Sequence, residues 1–235
     1  MSRPTIDTKK SYDLIAARLL LVGIRLVLRE HAQELFDLWF SGEAKDVEVF
    51  DNQKWADYMR ADKGLEGQID EHLVRYAAFV RDEAQSAGKV LADGRVSLPF
   101  QPYKTQFHAE VGDASGGYVT GYAVLHGSNR DAGDFQMSGT VSIEPKRGDA
   151  SKLFVKFTNN LLVFNDKVDP NYRYSSDVTF ERLALNMSRA LQARRPKSFI
   201  IRIAWSEPGP WVYEIPAQSP KAVPGWLKSF DRGFK

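Results

Sequence analysis

The first 94 residues carry apolar side chains at the spacing of an α-helix. From Ser11 to about Phe40 this pattern predicts one long helix, and Gly42 marks its end. One apolar stripe recurs along it at steps of three and four residues, and we expect it to face the core. Its members are Ile15, Leu19, Val22 and Leu26.

Two further helices are predicted in this half of the chain. One covers residues 51–62, with Asp51 or Asn52 as its N-cap. The other runs from about Leu65 to Ser86, and Gly88 ends it. The short apolar run at residues 47–50 has no clear period and receives no assignment.

After Gly94 the apolar period changes from 3.6 residues to 2, which is typical of strands. One helix, near residues 177–195, interrupts them; Asp177 caps it and Pro196 stops it. Its predicted buried face includes Phe180, Leu183 and Met187. The predicted strands cover residues 95–100, 105–111, 117–127, 134–144 and 152–164, and a final pair, 198–205 and 211–216, turns at residues 207–210.

These patterns predict an α+β protein with two domains. Residues 1–94 form a helical domain, and residues 95–235 form a curved antiparallel β-sheet or half-barrel that carries one helix. A chain of 235 residues is long enough for either one large domain or two small ones.

Composition narrows the classes of function. The chain has no Cys, which excludes disulfides and thiolate metal sites. Residues 1–94 carry four more acidic than basic residues, and residues 95–235 carry six more basic than acidic ones. The basic half favours an anionic ligand, although a dispersed, solvated surface explains the same charge. No run of Lys and Arg of the nucleic-acid-binding kind occurs, so we expect no nucleic-acid partner.

The beginning of the chain does not read as a secretory signal peptide. Arg18 and Arg25 interrupt its apolar run, and the uncharged stretch 19–24 is far shorter than a bilayer span. We therefore expect a protein made in the cytoplasm, with no transmembrane segment.

The end of the run Leu161–Phe164 is the candidate site. The strand is predicted to break there into Asn165, Asp166, Lys167, Val168, Asp169 and Pro170. Two carboxylates three residues apart, with Arg173 following, predict the rim of an anion-binding cleft. The alternative is turn chemistry, because Asp and Asn at strand ends commonly satisfy local backbone groups.

The sequence lacks the motifs of three other kinds of site: a phosphate-binding loop, a serine hydrolase centre and a histidine metal site. The chain contains no P-loop and no G-x-S-x-G motif, and its four histidines do not have metal-ligand spacing. We expect His31 and His72 to be surface or cap residues. His108 and His126 lie on predicted strands, where a structural role is more common than a functional one.

Three segments in the β-rich half together resemble the colicin M family of bacteriocins, over residues 100–205. "KTQFHAEVGDASGGYVTGYAVLHG" is similar to the first long hairpin of the family's catalytic domain. "SGTVSIE" is similar to the next strand, and "FNDKVDPN" to the stretch that carries an Asp-x-Tyr-Asp motif. The order of the elements agrees as well.

The resemblance implies a colicin M-like fold and an antibacterial toxin. Such toxins are phosphodiesterases that cut between the lipid and the pyrophosphoryl sugar of lipid II, and they need a divalent cation such as Mg²⁺. It places the catalytic carboxylates at Asp166 and Asp169, with Arg173 as the nearest cation. It also implies action in the target periplasm after dedicated export, and an immunity protein or secretion-system partner.

The sequence departs from the family at two places. Val168 stands where the motif has Tyr, and Ser175 and Ser176 stand where the family has a His-Arg pair. Either the active site has been rebuilt, or the fold serves as a non-catalytic binding or adaptor protein of a type VI-like secretion system.

Overall fold

The structure is a computed structural model, and it describes residues 8–89, 100–109, 111, 134–168 and 179–218. The described helices are α1 (Thr8–Val27), α2 (Glu30–Ser41), α3 (Gln53–Arg60), α4 (Lys63–Ser86) and α5 (Thr179–Ala190). The described strands are β1 (Val47–Phe50), β2 (Gln101–His108), β3 (Asp134–Pro145), β4 (Lys152–Val168), β5 (Phe199–Glu207) and β6 (Trp211–Pro216). Helices beside one mixed sheet confirm the α+β class.

Local sequence signals place several helix ends as predicted. The Asn52 side chain accepts a hydrogen bond of 3.1 Å from the Trp55 N–H at the start of α3. Helix α4 begins two residues before the predicted Leu65, where the Asp62 carboxylate, a cap that was not predicted, accepts one of 3.0 Å from the Leu65 N–H. Gly42 follows α2 and Gly88 follows α4, both with positive φ, which glycine adopts without steric cost.

The prediction of one helix from Ser11 to Phe40 is wrong, because the chain breaks between α1 and α2. Arg29 is extended there, with φ −70° and ψ 159°. After the break α2 runs as a separate helix, and it buries Leu35 and Phe36 completely. The stripe of Ile15, Leu19, Val22 and Leu26 on α1 is exposed, contrary to our expectation.

Helix α5 ends at Ala190, five residues before the predicted end. Gln192 adopts φ 54°, the Gln192 N–H donates to the Arg189 carbonyl, and the Ala193 N–H donates to the Ser188 carbonyl. These bonds form a Schellman motif, which satisfies the last carbonyls before Arg194 is reached. Met187 is buried as predicted; the side chains of Phe180 and Leu183, and the predicted cap Asp177, lie outside the described structure.

The sheet has the order β1-β5-β4-β3-β2, and β6 pairs with β4. All pairs are antiparallel except β1 with β5, which is parallel. Strand β1 thus brings the unassigned run at 47–50 into the sheet, although it belongs to the predicted helical domain. The proposed boundary at residue 94 and the strands predicted at 95–99 and 117–127 lie outside the described residues.

The predicted final hairpin is wrong. Strands β5 and β6 both pair with β4, β5 opposite Asn160–Val168 and β6 opposite Lys152–Phe157. Together they form one interrupted partner strand for β4. At the interruption, the Pro208 carbonyl accepts a 3.0 Å hydrogen bond from the Asn159 N–H.

The sheet changes register along one line. Asn159 in β4 has φ 53°, and the pairing of β3 with β4 shifts between Ser138 and Thr140. Inward positions of β4 fall on Leu153, Val155 and Phe157 before this point, and on even-numbered residues from Asn160 onward. A bulge of this kind bends and twists a strand. It also decides which side chains of the later part of β4 face the core.

Candidate functional site

Strand β4 does not break after Phe164, so that prediction is wrong. It continues to Val168, and each residue from Asn160 to Val168 has a partner in β5. The ladder with β5 supplies backbone hydrogen bonds that the sequence of this stretch alone does not reveal. Asp169 and Arg173 lie outside the described residues, so the predicted convergence of Asp166, Asp169 and Arg173 stays a prediction.

Asp166 lies on the packed face of the sheet. It shares this face with Leu162, Phe164 and Val168, all of which are buried, and it is itself only 9% exposed. Its Oδ1 accepts a 2.6 Å hydrogen bond from the Lys167 N–H. Asp166 is therefore held by local backbone chemistry among apolar neighbours, whereas a rim residue would project into solvent.

The opposite, outer face carries a row of four polar side chains at the same end of the sheet. Strand register places them side by side on β2, β3, β4 and β5. They are His108, Asp134, Asn165 and Arg202. With neighbouring strands about 4.8 Å apart, the row is about 14 Å long.

Two contacts organise this polar row. His108 Nδ1 lies 3.0 Å from Asp134 Oδ1, and both side chains are largely exposed. Arg202 Nε donates a 2.9 Å hydrogen bond to Asn165 Oδ1. The row therefore consists of a histidine–carboxylate pair beside an arginine–amide pair.

An aromatic layer lies directly behind the polar row. Its three rings come from the residues adjacent in sequence to His108, Asp134 and Asn165, and they point to the inner face. These residues are Phe107, Phe135 and Phe164. The ring centroids of Phe107 and Phe135 are 5.3 Å apart, and those of Phe135 and Phe164 are 5.0 Å apart. Packed strands fix side-chain positions better than loops do, so this layer gives the polar row a rigid base.

The polar row has the groups needed for phosphoryl chemistry. A histidine oriented by a carboxylate can move a proton, and a guanidinium is suited to phosphate oxygens. His108 ends β2, Asp134 begins β3 and Val168 ends β4, all at this same end of the sheet. Sequence spacing does not reveal the row, because its members lie far apart in the chain and meet only through strand pairing.

A concave cleft lies elsewhere, between α3, α4 and the strands β4–β6. Its volume is about 360 Å³, and Met59, Leu162, Trp205 and Trp211 contribute apolar walls. Arg60 bridges it, donating a 2.6 Å hydrogen bond to Glu207. Asp70, which lines the cleft, accepts a 2.7 Å hydrogen bond from the Tyr213 hydroxyl, and burial raises the pKa of that hydroxyl. The cleft has the size of a small-molecule site.

His72 is not a surface residue, so that expectation is wrong. It lies on α4, is 8% exposed, and its Nε2 is 2.9 Å from Thr105 Oγ1 on β2. Burial lowers the pKa of His72 to about 4. His31 is half-buried, and its ring stacks on Tyr58 with centroids 4.2 Å apart.

The divalent cation implied by the resemblance needs several oxygen ligands. Within the described residues, no three His, Asp or Glu side chains come together in a way that could hold a metal ion. The one described motif carboxylate, Asp166, has an oxygen engaged by the backbone. The described residues alone do not make a Mg²⁺ site, and Mg²⁺ stays a prediction.

None of the helices in the described part of the chain is long and apolar enough to cross a membrane. Comparison with known proteins gave no match to a family model, a curated protein or a solved structure.

Proposed function

We propose that the chain is an antibacterial phosphodiesterase of colicin M type, which cleaves the lipid–pyrophosphate linkage of lipid II. The observation that carries this proposal is the polar row. In the resemblance, the family's His-Arg pair is replaced by Ser175 and Ser176. His108 and Arg202, at the two ends of the row, supply the same two side-chain types from different strands. Their partners, Asp134 and Asn165, lie opposite each other on the adjacent strands β3 and β4.

In this proposal residues 100–205 form the colicin M-like catalytic region, a bent half-barrel, and the helices of residues 1–94 serve delivery or partner binding. An immunity protein and a secretion-system partner belong to the same proposal.

The proposed reaction uses each member of the polar row. Arg202 donates to the non-bridging oxygens of the pyrophosphate, and Asn165 holds its guanidinium in place. His108, oriented by Asp134, takes a proton from the water that attacks phosphorus. The bond from phosphorus to the lipid oxygen then breaks, and the proton taken up by His108 passes to that oxygen, so the lipid leaves as the alcohol. Asp169, next to this end of the sheet in sequence, is the carboxylate that the resemblance assigns to catalysis.

The test is release of pyrophosphoryl sugar from purified, labelled lipid II, with Mg²⁺ added. We expect His108→Gln and Arg202→Gln each to lower the rate by about 10²-fold or more, as for loss of a general base or a charge-stabilising donor. Gln106→Ala is the matched control, because Gln106 is exposed and precedes His108 by two residues on the same face of β2. A wild-type protein that releases no product, or a His108 variant with full activity, contradicts the proposal.

A second candidate is a non-catalytic colicin M-like binding or adaptor protein. The burial of Asp166, with its carboxylate bonded to the Lys167 N–H, favours it. The cleft lined by Trp205 and Trp211 would then be a ligand site. Binding of wild-type protein to immobilised lipid II without product release, together with harmless expression in the periplasm of a sensitive bacterium, would support this candidate over the enzyme.

A further inference from the structure

Helix α1 exposes an apolar face that no described element covers. Four aliphatic side chains along it are 53–81% exposed: Ile15, Leu19, Val22 and Leu26. The opposite side of the helix holds Ala17, which is 4% exposed, and α1 packs against α5 there. Large contiguous apolar surfaces on a folded protein mark interaction sites.

Arginines border this face along one edge. Arg18 and Arg25 are seven residues apart, so they align on a helix with about 3.6 residues per turn. Arg29 follows just beyond the end of α1, and residues 14–29 contain no Asp or Glu. Arg25 Nε donates a 2.8 Å hydrogen bond to Asp37 on α2, which ties this edge of the helix to the rest of the fold. Three arginines and one carboxylate, Asp37, thus lie along this edge, so the apolar face is bordered by a net positive charge.

We propose that α1 docks flat on an anionic lipid surface. Its aliphatic side chains would enter the boundary between headgroups and acyl chains, and its arginines would lie level with the lipid phosphates. The charge pattern favours this occupant over a second copy of the chain. Two such faces packed together would bring their net positive edges near each other, and the Asp37 carboxylate at each edge is already bonded to Arg25 of its own chain.

The structure also fits the geometry that docking requires. Helix α1 offers its outer side from Ile15 to Leu26, because the packed side is the one that carries Ala17, Leu21 and Ile24. At a rise of about 1.5 Å per residue, the span from Ile15 to Leu26 covers about three turns of helix. The proposal does not depend on lipid II cleavage, since an adaptor would use the same face.

The experiment is co-sedimentation of the full chain with vesicles. We expect binding to vesicles of phosphatidylcholine mixed with phosphatidylglycerol, and binding at least about tenfold weaker to phosphatidylcholine alone. Leu19→Glu and Leu26→Glu should each reduce binding to the mixed vesicles by at least about tenfold. Arg18→Glu should reduce it on mixed vesicles while leaving the weak binding to phosphatidylcholine nearly unchanged.

Val74→Glu is the matched control and should bind like wild type. Val74 is a 49% exposed apolar residue on a different helix, α4. Circular dichroism and a denaturant midpoint show whether each variant is folded. The proposal is overturned if wild type binds neither vesicle, or if Leu26→Glu binds like wild type. It is equally overturned if the wild type is a dimer that Leu26→Glu separates, since the face would then be covered by a second copy.

Discussion

His108 and Asp166 lie at the same end of one sheet but on opposite faces. Strand register runs from His108 through Asp134 to Asn165, and successive residues of a strand point to opposite sides. Asp166, the next residue after Asn165, therefore points inward while His108 points outward. The two side chains cannot take part directly in one reaction centre on the outer face. Among the described residues, Asp134 is the carboxylate that lies beside His108.

Because Asp166 points inward, Asp169 is the motif carboxylate whose loss we expect to affect toxicity. Asp169→Ala is expected to abolish toxicity of the periplasmically expressed protein while leaving the thermal midpoint nearly unchanged, because an acid just beyond the strand contributes little packing. Cell lysis is the measurement, with cytoplasmic expression as the reference. Asp51→Ala, at an exposed acid before α3, should remain fully toxic. Full toxicity of Asp169→Ala would show that the Asp-x-Tyr-Asp motif has been assigned to the wrong residues.

Replacing Met187 by Ala should destabilise the fold. Met187 lies on α5 beside α1 and is 2% exposed. Its truncation removes buried apolar surface and leaves a cavity, which costs about 2–5 kcal/mol. Urea unfolding measures the change, and Asn186→Ala is the control because the neighbouring Asn186 is exposed. Equal midpoints for Met187→Ala and wild type would refute the packing of α5.

Two glycines should respond to Ala in opposite directions. A Cβ on Gly139 would lie 2.6 Å from the Thr158 carbonyl oxygen and 3.0 Å from the Tyr103 ring, at the line where the sheet changes register. Since backbone must move to make room, Gly139→Ala should lower the free energy of unfolding by about 1–3 kcal/mol.

Gly67 is the matched position, in the interior of α4, and a Cβ there meets no atom within 4 Å. Gly67→Ala should raise the free energy of unfolding by about 0.5–1 kcal/mol, because Ala loses less conformational entropy in a helix. If Gly139→Ala raises the denaturant midpoint as Gly67→Ala does, the close approach at Gly139 is not what limits that site.

His72 should make stability depend on pH. Its pKa is about 4 in the folded state, below the ordinary value of 6.5, so the unfolded chain binds a proton that the folded chain does not. The free energy of unfolding should therefore fall as the pH drops from about 6.5 to 4. Between pH 7 and pH 5 the contribution is about 2 kcal/mol.

The measurement is the urea midpoint at these two pH values for wild type and His72→Gln. The variant should lose about 2 kcal/mol less than wild type over this interval. His108→Gln serves as the control, since an exposed ion pair contributes little to stability. A His72→Gln protein with the same pH dependence as wild type would contradict the burial of this ring.

The sequence by itself determined the features that depend on near neighbours. Asn52 and Gly42 set helix ends because capping and left-handed backbone involve only a few adjacent residues. The alternation of residues 134–144 and 211–216 predicted β3 and β6 nearly to the residue, because period 2 reflects the geometry of a single strand.

Only the tertiary structure decided what depends on distant partners. Strand β1 is four residues long and exists through its pairing with β5, which lies far along the chain. The direction of Asp166 depends on the bulge at Asn159, because one extra residue reverses the face of every later side chain in β4. His108 and Arg202 become members of one row through three strand pairings, and no pattern within a single strand encodes that register.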